Sequence, residues 1–237
     1  EDFFDTNKAF FDTDSKKAVF MVGYLSKRLI NIQARNEDGR KPFMSQLNGL
    51  NLNKKDICRL IPKIQNKFME SFFIGNIEIK IPIVQGGMGV GISLSGLASA
   101  VANEGGLGVI SCAGLGLLYP KRKGTYTEKC ISGLEEEIRK ARKKTNGIIG
   151  VNVMVALSNY ADMIRTAINE KIDVIFSGAG LPLDLPAYLT PDSSTKLAPI
   201  VSSSRAAKII CDKWLANYNY LPDAIVVEGP KAGGHLG

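Results

Sequence analysis

The 237-residue sequence contains one histidine and four cysteines. The cysteines form no CxxC pair; they are Cys58, Cys112, Cys130 and Cys211. This spacing argues against a disulfide framework or a zinc site and is typical of reduced thiols in the cytoplasm. The single histidine, His235, has no ligand cluster around it in the sequence, so no metal site is predicted.

Long apolar runs are also missing. No stretch approaches the roughly 18 apolar residues that a membrane helix needs, and Glu1-Asp2 does not resemble the start of a signal peptide. We therefore expect no membrane span and a cytoplasmic location. The sequence lacks an initial methionine and stops within a glycine-rich loop, which predicts that it is a piece of a longer protein.

The net charge of +7 is moderate. The densest basic cluster, Arg139–Lys144, follows the acidic run Glu135–Glu137 on one predicted helix. That order complements the helix dipole, so the cluster needs no nucleic-acid partner. We expect no nucleic-acid binding by residues 74–237.

Residues 1–72 differ from the rest of the chain in having few glycines and many polar and basic residues. Apolar residues at helical spacing predict a helix over roughly 15–33 and shorter helices beyond it. We interpret this part as a small α-helical segment. Its basic residues indicate a solvated face, with RNA binding as the alternative.

From residue 74 onwards, apolar strands alternate with amphipathic helices. The strands start near residues 81, 107, 148, 173, 198 and 224. This repeat predicts a parallel sheet with helical crossovers, either doubly wound or a (β/α)8 barrel. Gly87, Gly89 and Gly91 do not fit the dinucleotide-binding spacing. We therefore predict an α/β fold, an incomplete (β/α)8 TIM barrel with about six of the eight strands.

Small and polar residues follow nearly every predicted strand, and in a barrel they converge on one face. They are Gln85, Gly86, Gly87, Met88, Ser111, Asn152, Ser177, Gly178, Ser202 and the run from Glu228 to His235. Glycines allow a flat ligand to approach the backbone. Because no nucleophile motif accompanies them, we expect a bound cofactor to supply the chemistry.

Four motifs carry a family resemblance: Ile83–Met88, Gly150–Met154, Ser177–Gly180 and Glu228–Gly237. Together they resemble the nitronate monooxygenase (2-nitropropane dioxygenase) family over about 74–237. The FMN-dependent enoyl-acyl-carrier-protein reductases share its fold.

The resemblance implies FMN at the barrel mouth and His235 as the catalytic imidazole. The implied cofactor-binding residues are Gln85, Gly86, Gly87, Met88, Asn152, Gly178, Glu228, Ala232, Gly233 and Gly234. Asn152 would bind the flavin through hydrogen bonds, and residues 232–234 would line the substrate side. The alternatives are a loop-stabilising amide for Gln85, core packing for Met88 and a strand-end cap for Asn152.

The implied reaction is oxidation of an alkyl nitronate with O2, and the alternative is reduction of an enoyl thioester with NAD(P)H. A homodimer is left open. Lys231 stands where many relatives carry an acidic residue. The family's phosphate-binding loops would lie beyond Gly237, so an inactive, non-catalytic piece is a further alternative.

A second resemblance covers residues 1–72. The runs Gly23–Gln33, Lys41–Phe43, Leu47–Leu50 and Ile61–Lys67 resemble the C-terminal helical part of large-subunit proteins of type I-B CRISPR complexes. This implies a binding segment without catalysis. A fusion of two unrelated proteins is the other explanation.

Overall fold

A computed structural model describes residues 71–229 and the backbone of residues 19–21. The strands are β1 (Val19–Met21), β2 (Phe72–Ile74), β3 (Ile77–Ile79), β4 (Gly108–Ser111), β5 (Ile149–Met154), β6 (Val174–Gly178), β7 (Lys196–Val201) and β8 (Ile225–Val227). The helices are α1 (Ser95–Asn103), α2 (Leu115–Leu118), α3 (Tyr126–Arg142), α4 (Tyr160–Asn169) and α5 (Ser204–Tyr218), with a 3-10 turn at Leu185–Tyr188.

The main sheet is parallel, in the order β1-β8-β7-β6-β5-β4. Beyond β4, Val84 forms one further parallel bridge to Leu107. From Val84 to β8 the strands therefore follow their order in the sequence, with helices in the crossovers. This confirms the predicted α/β fold and is the strand arrangement of an incomplete (β/α)8 barrel.

Two apolar cores lie on the two faces of this sheet. The outer core packs helices α1, α3, α4 and α5 against alternate strand residues such as Val151, Val153 and Ile175. The inner core contains Leu107, Val109, Val174, Phe176, Ala198 and Val226, together with Phe72, Ile74 and Ile79. The antiparallel hairpin of β2 and β3 thus supplies apolar side chains to the inner face.

Two aspartates repeat one role at the sheet's N-terminal edge. Asp173, just before β6, accepts a hydrogen bond from the Ile149 amide at 2.7 Å. Asp223, just before β8, accepts one from the Leu197 amide at 2.9 Å. Each carboxylate therefore satisfies an amide at the start of the neighbouring strand. Arg142 also pairs with Asp173 at 2.8 Å, which ties α3 to this edge.

We predict that Asp173→Ala lowers the free energy of unfolding by about 1–3 kcal/mol, because it leaves the Ile149 amide without its acceptor and removes the ion pair with Arg142. The matched control is Asp212→Ala, which removes an exposed ion pair with Lys208. That variant should stay within about 0.5 kcal/mol of the parent. Urea unfolding measures both, and equal stability of the two variants would contradict the assignment.

Helix α1 is capped from another helix. The sequence predicts Ser93 or Ser95 as its N-cap, but this is wrong, since Leu94 holds that position and offers no side-chain cap. Instead, the buried carboxylate of Glu137 on α3 accepts a hydrogen bond from the Ser95 amide at 2.8 Å. Burial opposes ionisation, but hydrogen bonds from Ser95, Tyr119 and Lys140 prevail and lower the pKa of Glu137 from 4.5 to about 2.

A lowered pKa contributes stability above pH 4.5 that is lost as the pH falls towards 2. A shift of this size corresponds to about 3 kcal/mol. We predict that the parent loses stability between about pH 4.5 and 2 more steeply than Glu137→Gln does. Urea unfolding at a series of pH values measures the difference, and parallel curves would contradict the lowered pKa.

Three predicted elements differ from the structure. The predicted helix over 15–33 is wrong at Val19–Met21, where the apolar run pairs as a strand with β8; the rest of the predicted helical segment lies outside the described residues. The predicted strand at Ile81–Val84 is reduced to one bridge, and Pro82 within it has no amide to donate. The helix predicted around the charged run Glu135–Lys144 begins earlier, at Tyr126, because Thr125 and Glu128 form a capping box.

Within residues 71–229, no helix is both long and apolar enough to cross a membrane.

Candidate functional site

The candidate site lies at the C-terminal ends of the parallel strands, around Asn152 on β5. Its neighbours Val151 and Val153 belong to the outer core, so Asn152 faces the inner side of the sheet. The side chain is half-buried. Its amide makes no hydrogen bond to any residue in the described part of the chain. Asn152 therefore offers a free donor and a free acceptor at the mouth of the partial barrel.

The loop from Gln85 to Ser93 covers this asparagine. A Cβ placed on Gly87 would lie 2.3 Å from the Cβ of Asn152, so the two residues are in direct contact. A Cβ on Gly86 would meet no atom of residues 71–229 within 4 Å. The loop thus packs against Asn152 with one glycine and exposes open backbone with the other. This combination is a cradle that suits a flat ring.

Ser93 holds the loop in this shape. Its fully buried hydroxyl donates to the Gly86 carbonyl at 2.9 Å and accepts from the Met88 amide and the Gln85 side chain, both at 3.0 Å. The sequence alone does not indicate this role. A serine that closes a glycine-rich loop before a helix was the available signal, and it was interpreted as a helix cap.

The Gln85 side chain acts as an additional peptide group beside β4. Its amide nitrogen donates to the Val109 carbonyl at 2.9 Å, and its oxygen accepts from the Val109 amide at 3.3 Å. This pair continues the bridge between Val84 and Leu107. These contacts are those of an amide that stabilises the loop, which was the alternative to cofactor binding for Gln85. Binding of a cofactor by Gln85 stays a prediction.

The other predicted cofactor residues are placed as follows. Met88 is half-buried within the loop. Gly178 ends β6, and a Cβ there would lie 2.7 Å from Ile200. Glu228 follows β8, where its amide donates to the Val201 carbonyl at 2.8 Å. The predicted residues Ala232, Gly233, Gly234 and His235 lie outside the described residues.

Ser177 does not join this face, contrary to the prediction that it converges with the other strand ends. It alternates with the inner-core residue Phe176, and its buried hydroxyl lies 3.0 Å from the hydroxyl of Tyr160 on α4. Burial raises the pKa of Tyr160 to about 12, so the phenol is neutral. The Ser177–Tyr160 pair therefore fastens α4 to the sheet.

At the mouth the described chain presents mainly glycine backbone and the Asn152 amide. Among residues 71–229, no three histidine, cysteine, aspartate or glutamate side chains group to hold a metal ion. Burial raises the pKa of the Cys112 thiol well above its usual range, so it is a poor nucleophile. Open glycine backbone at Gly86 and the free amide of Asn152 do fit a flat, hydrogen-bonding group such as an isoalloxazine ring.

Two family models match the chain. The nitronate monooxygenase model matches residues 70–237. The chain belongs to the nitronate monooxygenase family. The model of the CRISPR-associated protein TM1802 (cas_TM1802) C-terminal domain matches residues 1–73. Both resemblances expected from the sequence are thereby confirmed.

Individual relatives agree with the family assignment. A Rhodococcus jostii protein named (3aS,4S,5R,7aS)-5-hydroxy-7a-methyl-1-oxo-octahydro-1H-indene-4-carboxyl-CoA dehydrogenase is 29% identical over 68% of this chain and 39% of its own length. A "Probable nitronate monooxygenase" of Staphylococcus aureus is 24% identical over 68% and 49%. The structure of FabK from Thermotoga maritima is 27% identical, with a TM-score of 0.52 over 74% of this chain and 46% of that one. The chain thus spans less than half the length of each.

The two loop glycines give a matched pair of predictions. Gly87→Ala should lower the free energy of unfolding by about 1–3 kcal/mol, because the new methyl group overlaps Asn152. Gly86→Ala should leave stability within about 0.5 kcal/mol, because its methyl group enters open space. If a flat ligand binds against the Gly86 backbone, Gly86→Ala should weaken FMN binding while leaving stability unchanged. FMN binding is measured by the quenching of flavin fluorescence. Equal destabilisation by both variants would contradict the described loop.

Proposed function

We propose that the complete protein is a flavin-dependent oxidoreductase that binds FMN at this mouth and oxidises alkyl nitronates with O2 to a carbonyl compound and nitrite. The single observation that supports it most is the contact of Gly87 with Asn152, beside Gly86, whose Cβ position meets no atom of the described residues within 4 Å. The family assignment supports the same reaction class.

Different residues of the chain would bind the flavin ring, hold the loop in shape and handle a proton. Gly86 and Gly87 would allow the flat ring to lie against the backbone, and the Asn152 amide would hydrogen-bond its polar edge. Ser93 and Gln85 would keep that surface in shape through their contacts within the loop. FMN, when bound, supplies the electron transfer that no side chain can perform. His235 would hold or move a proton at its imidazole nitrogens.

The direct test uses the complete protein, loaded with FMN, and propionate 3-nitronate. We expect oxygen uptake and nitrite release in proportion to bound flavin. Protein that carries flavin and consumes no oxygen with this or longer alkyl nitronates would contradict the nitronate assignment.

A second candidate is oxidoreduction of an acyl thioester. The Rhodococcus relative, which is named as a dehydrogenase of a CoA thioester, is 29% identical to this chain, against 24% for the staphylococcal relative. In this case NADH should bleach the flavin of the complete protein, and crotonyl-CoA should restore its colour. If NADH does not bleach the flavin, reduction of an acyl thioester by NADH is contradicted.

His235 and Asn152 are predicted to fail in different ways. His235→Ala should retain FMN but lower turnover by about 10²–10⁴-fold, the usual contribution of proton handling. Asn152→Leu keeps the branched outline of the side chain beside Gly87 but lacks the amide, so it should weaken FMN binding about tenfold. Turnover per bound flavin and an FMN titration separate the two. Loss of flavin in His235→Ala with an unchanged rate per flavin would make the imidazole structural.

RNA binding by residues 1–72 remains a separate prediction. Retention of RNA by the complete protein at moderate salt, and its loss as salt rises, would support it. Salt-independent or absent retention would contradict it.

A further inference from the structure

Glu137 connects two loops that do not follow one another in the sequence. Its Oε2 accepts from the Ser95 amide, and its Oε1 accepts from the Tyr119 hydroxyl, both at 2.8 Å. Lys140 lies 3.2 Å from Oε1. The buried carboxylate therefore has a separate partner for each oxygen.

The two partners mark the ends of the two loops beside the candidate site. Ser95 begins α1, immediately after the loop that contains Gly86, Gly87 and Ser93. Tyr119 follows α2, at the end of the segment that leaves β4. We call these segments the glycine loop (85–94) and the β4 loop (112–119).

The glycine loop and the β4 loop also touch each other. A Cβ on Gly91 would lie 3.1 Å from a methyl group of Leu118, and a Cβ on Gly114 would lie 2.6 Å from the Val90 side chain. The side chains that meet the glycines here, Leu118 and Val90, are apolar, so these contacts have no hydrogen-bond geometry to fix the loops. The hydrogen bonds to Glu137 are directional, so they define how far the loops can move relative to α3.

The ring of Tyr119 is fixed where it meets Glu137. A Cβ on Gly133, one turn before Glu137, would lie 2.9 Å from that ring. On the ring, the Arg122 guanidinium lies 3.8 Å from the centroid, at a cation–π distance. A side chain at position 133 would displace Tyr119, so the surface of α3 is shaped to present the hydroxyl to Glu137.

We propose that Glu137 is a positioning residue that holds the glycine loop and the β4 loop in register, and through them the cradle formed by Gly86, Gly87 and Asn152. The coupling of the loops stands on the hydrogen bonds alone. Its effect on the cofactor rests on the proposed function.

The test compares Glu137→Gln, Tyr119→Phe and the control Glu135→Gln in the complete protein. Glu135→Gln removes the same charge from the same helix, two residues away. Hydrogen exchange by mass spectrometry should show about tenfold faster amide exchange in Glu137→Gln in both the glycine loop (measured over 86–94) and the β4 loop (measured over 113–119). Tyr119→Phe should affect 113–119 more than 86–94, and the control should match the parent.

A flavin readout separates positioning from general stability. In Glu137→Gln, FMN affinity should fall several-fold and the visible circular dichroism of the bound flavin should change, whereas Glu135→Gln should change neither. Unchanged exchange in both loops of Glu137→Gln would overturn the proposal. If that variant does not fold, unchanged exchange at 113–119 in Tyr119→Phe would do the same. A parent protein that binds no flavin would contradict the proposed function and leave the exchange result to decide the loop coupling.

Discussion

The contact between the Gly87 backbone and the Asn152 side chain is the constraint on which the candidate site depends. At 2.3 Å from a hypothetical Cβ, no residue larger than glycine fits without movement. The contact sets where the glycine loop crosses the strand ends, and Ser93, Gln85 and Glu137 keep it there through hydrogen bonds. The result is a candidate binding surface made of the loop backbone and the Asn152 amide, which has no hydrogen-bond partner within residues 71–229.

The sheet itself was predictable from the sequence. Apolar strands at a regular spacing have one economical arrangement, a parallel sheet with helices in the crossovers. The sequence predicts Ser203 or Ser204 as the cap of the helix that follows β7, and the structure confirms this at Ser203, whose side chain accepts from the Ala206 amide. The start of α3 was predictable in principle, because Thr125 and Glu128 have the capping-box spacing.

Other features depend on contacts that a linear pattern does not contain. Glu137 caps a helix 42 residues away, so no local signal marks it. Ser177 lies near the C-terminal end of β6, as Asn152 lies in the C-terminal half of β5, but the alternation of β6 turns Ser177 towards Tyr160. Gln85 uses both ends of its amide on Val109. In each case the hydrogen-bond partner of the side chain is determined by tertiary contacts, and the residue type alone does not predict it.

The central claim is that FMN binds against the glycine loop and Asn152. The measurement that tests it most directly is a crystal structure of the complete protein grown with FMN. The account predicts the isoalloxazine ring against the Gly86–Gly87 backbone, with a polar ring atom within hydrogen-bond distance of the Asn152 amide. A ring bound elsewhere, or one with Asn152 turned away and unbonded, would contradict it.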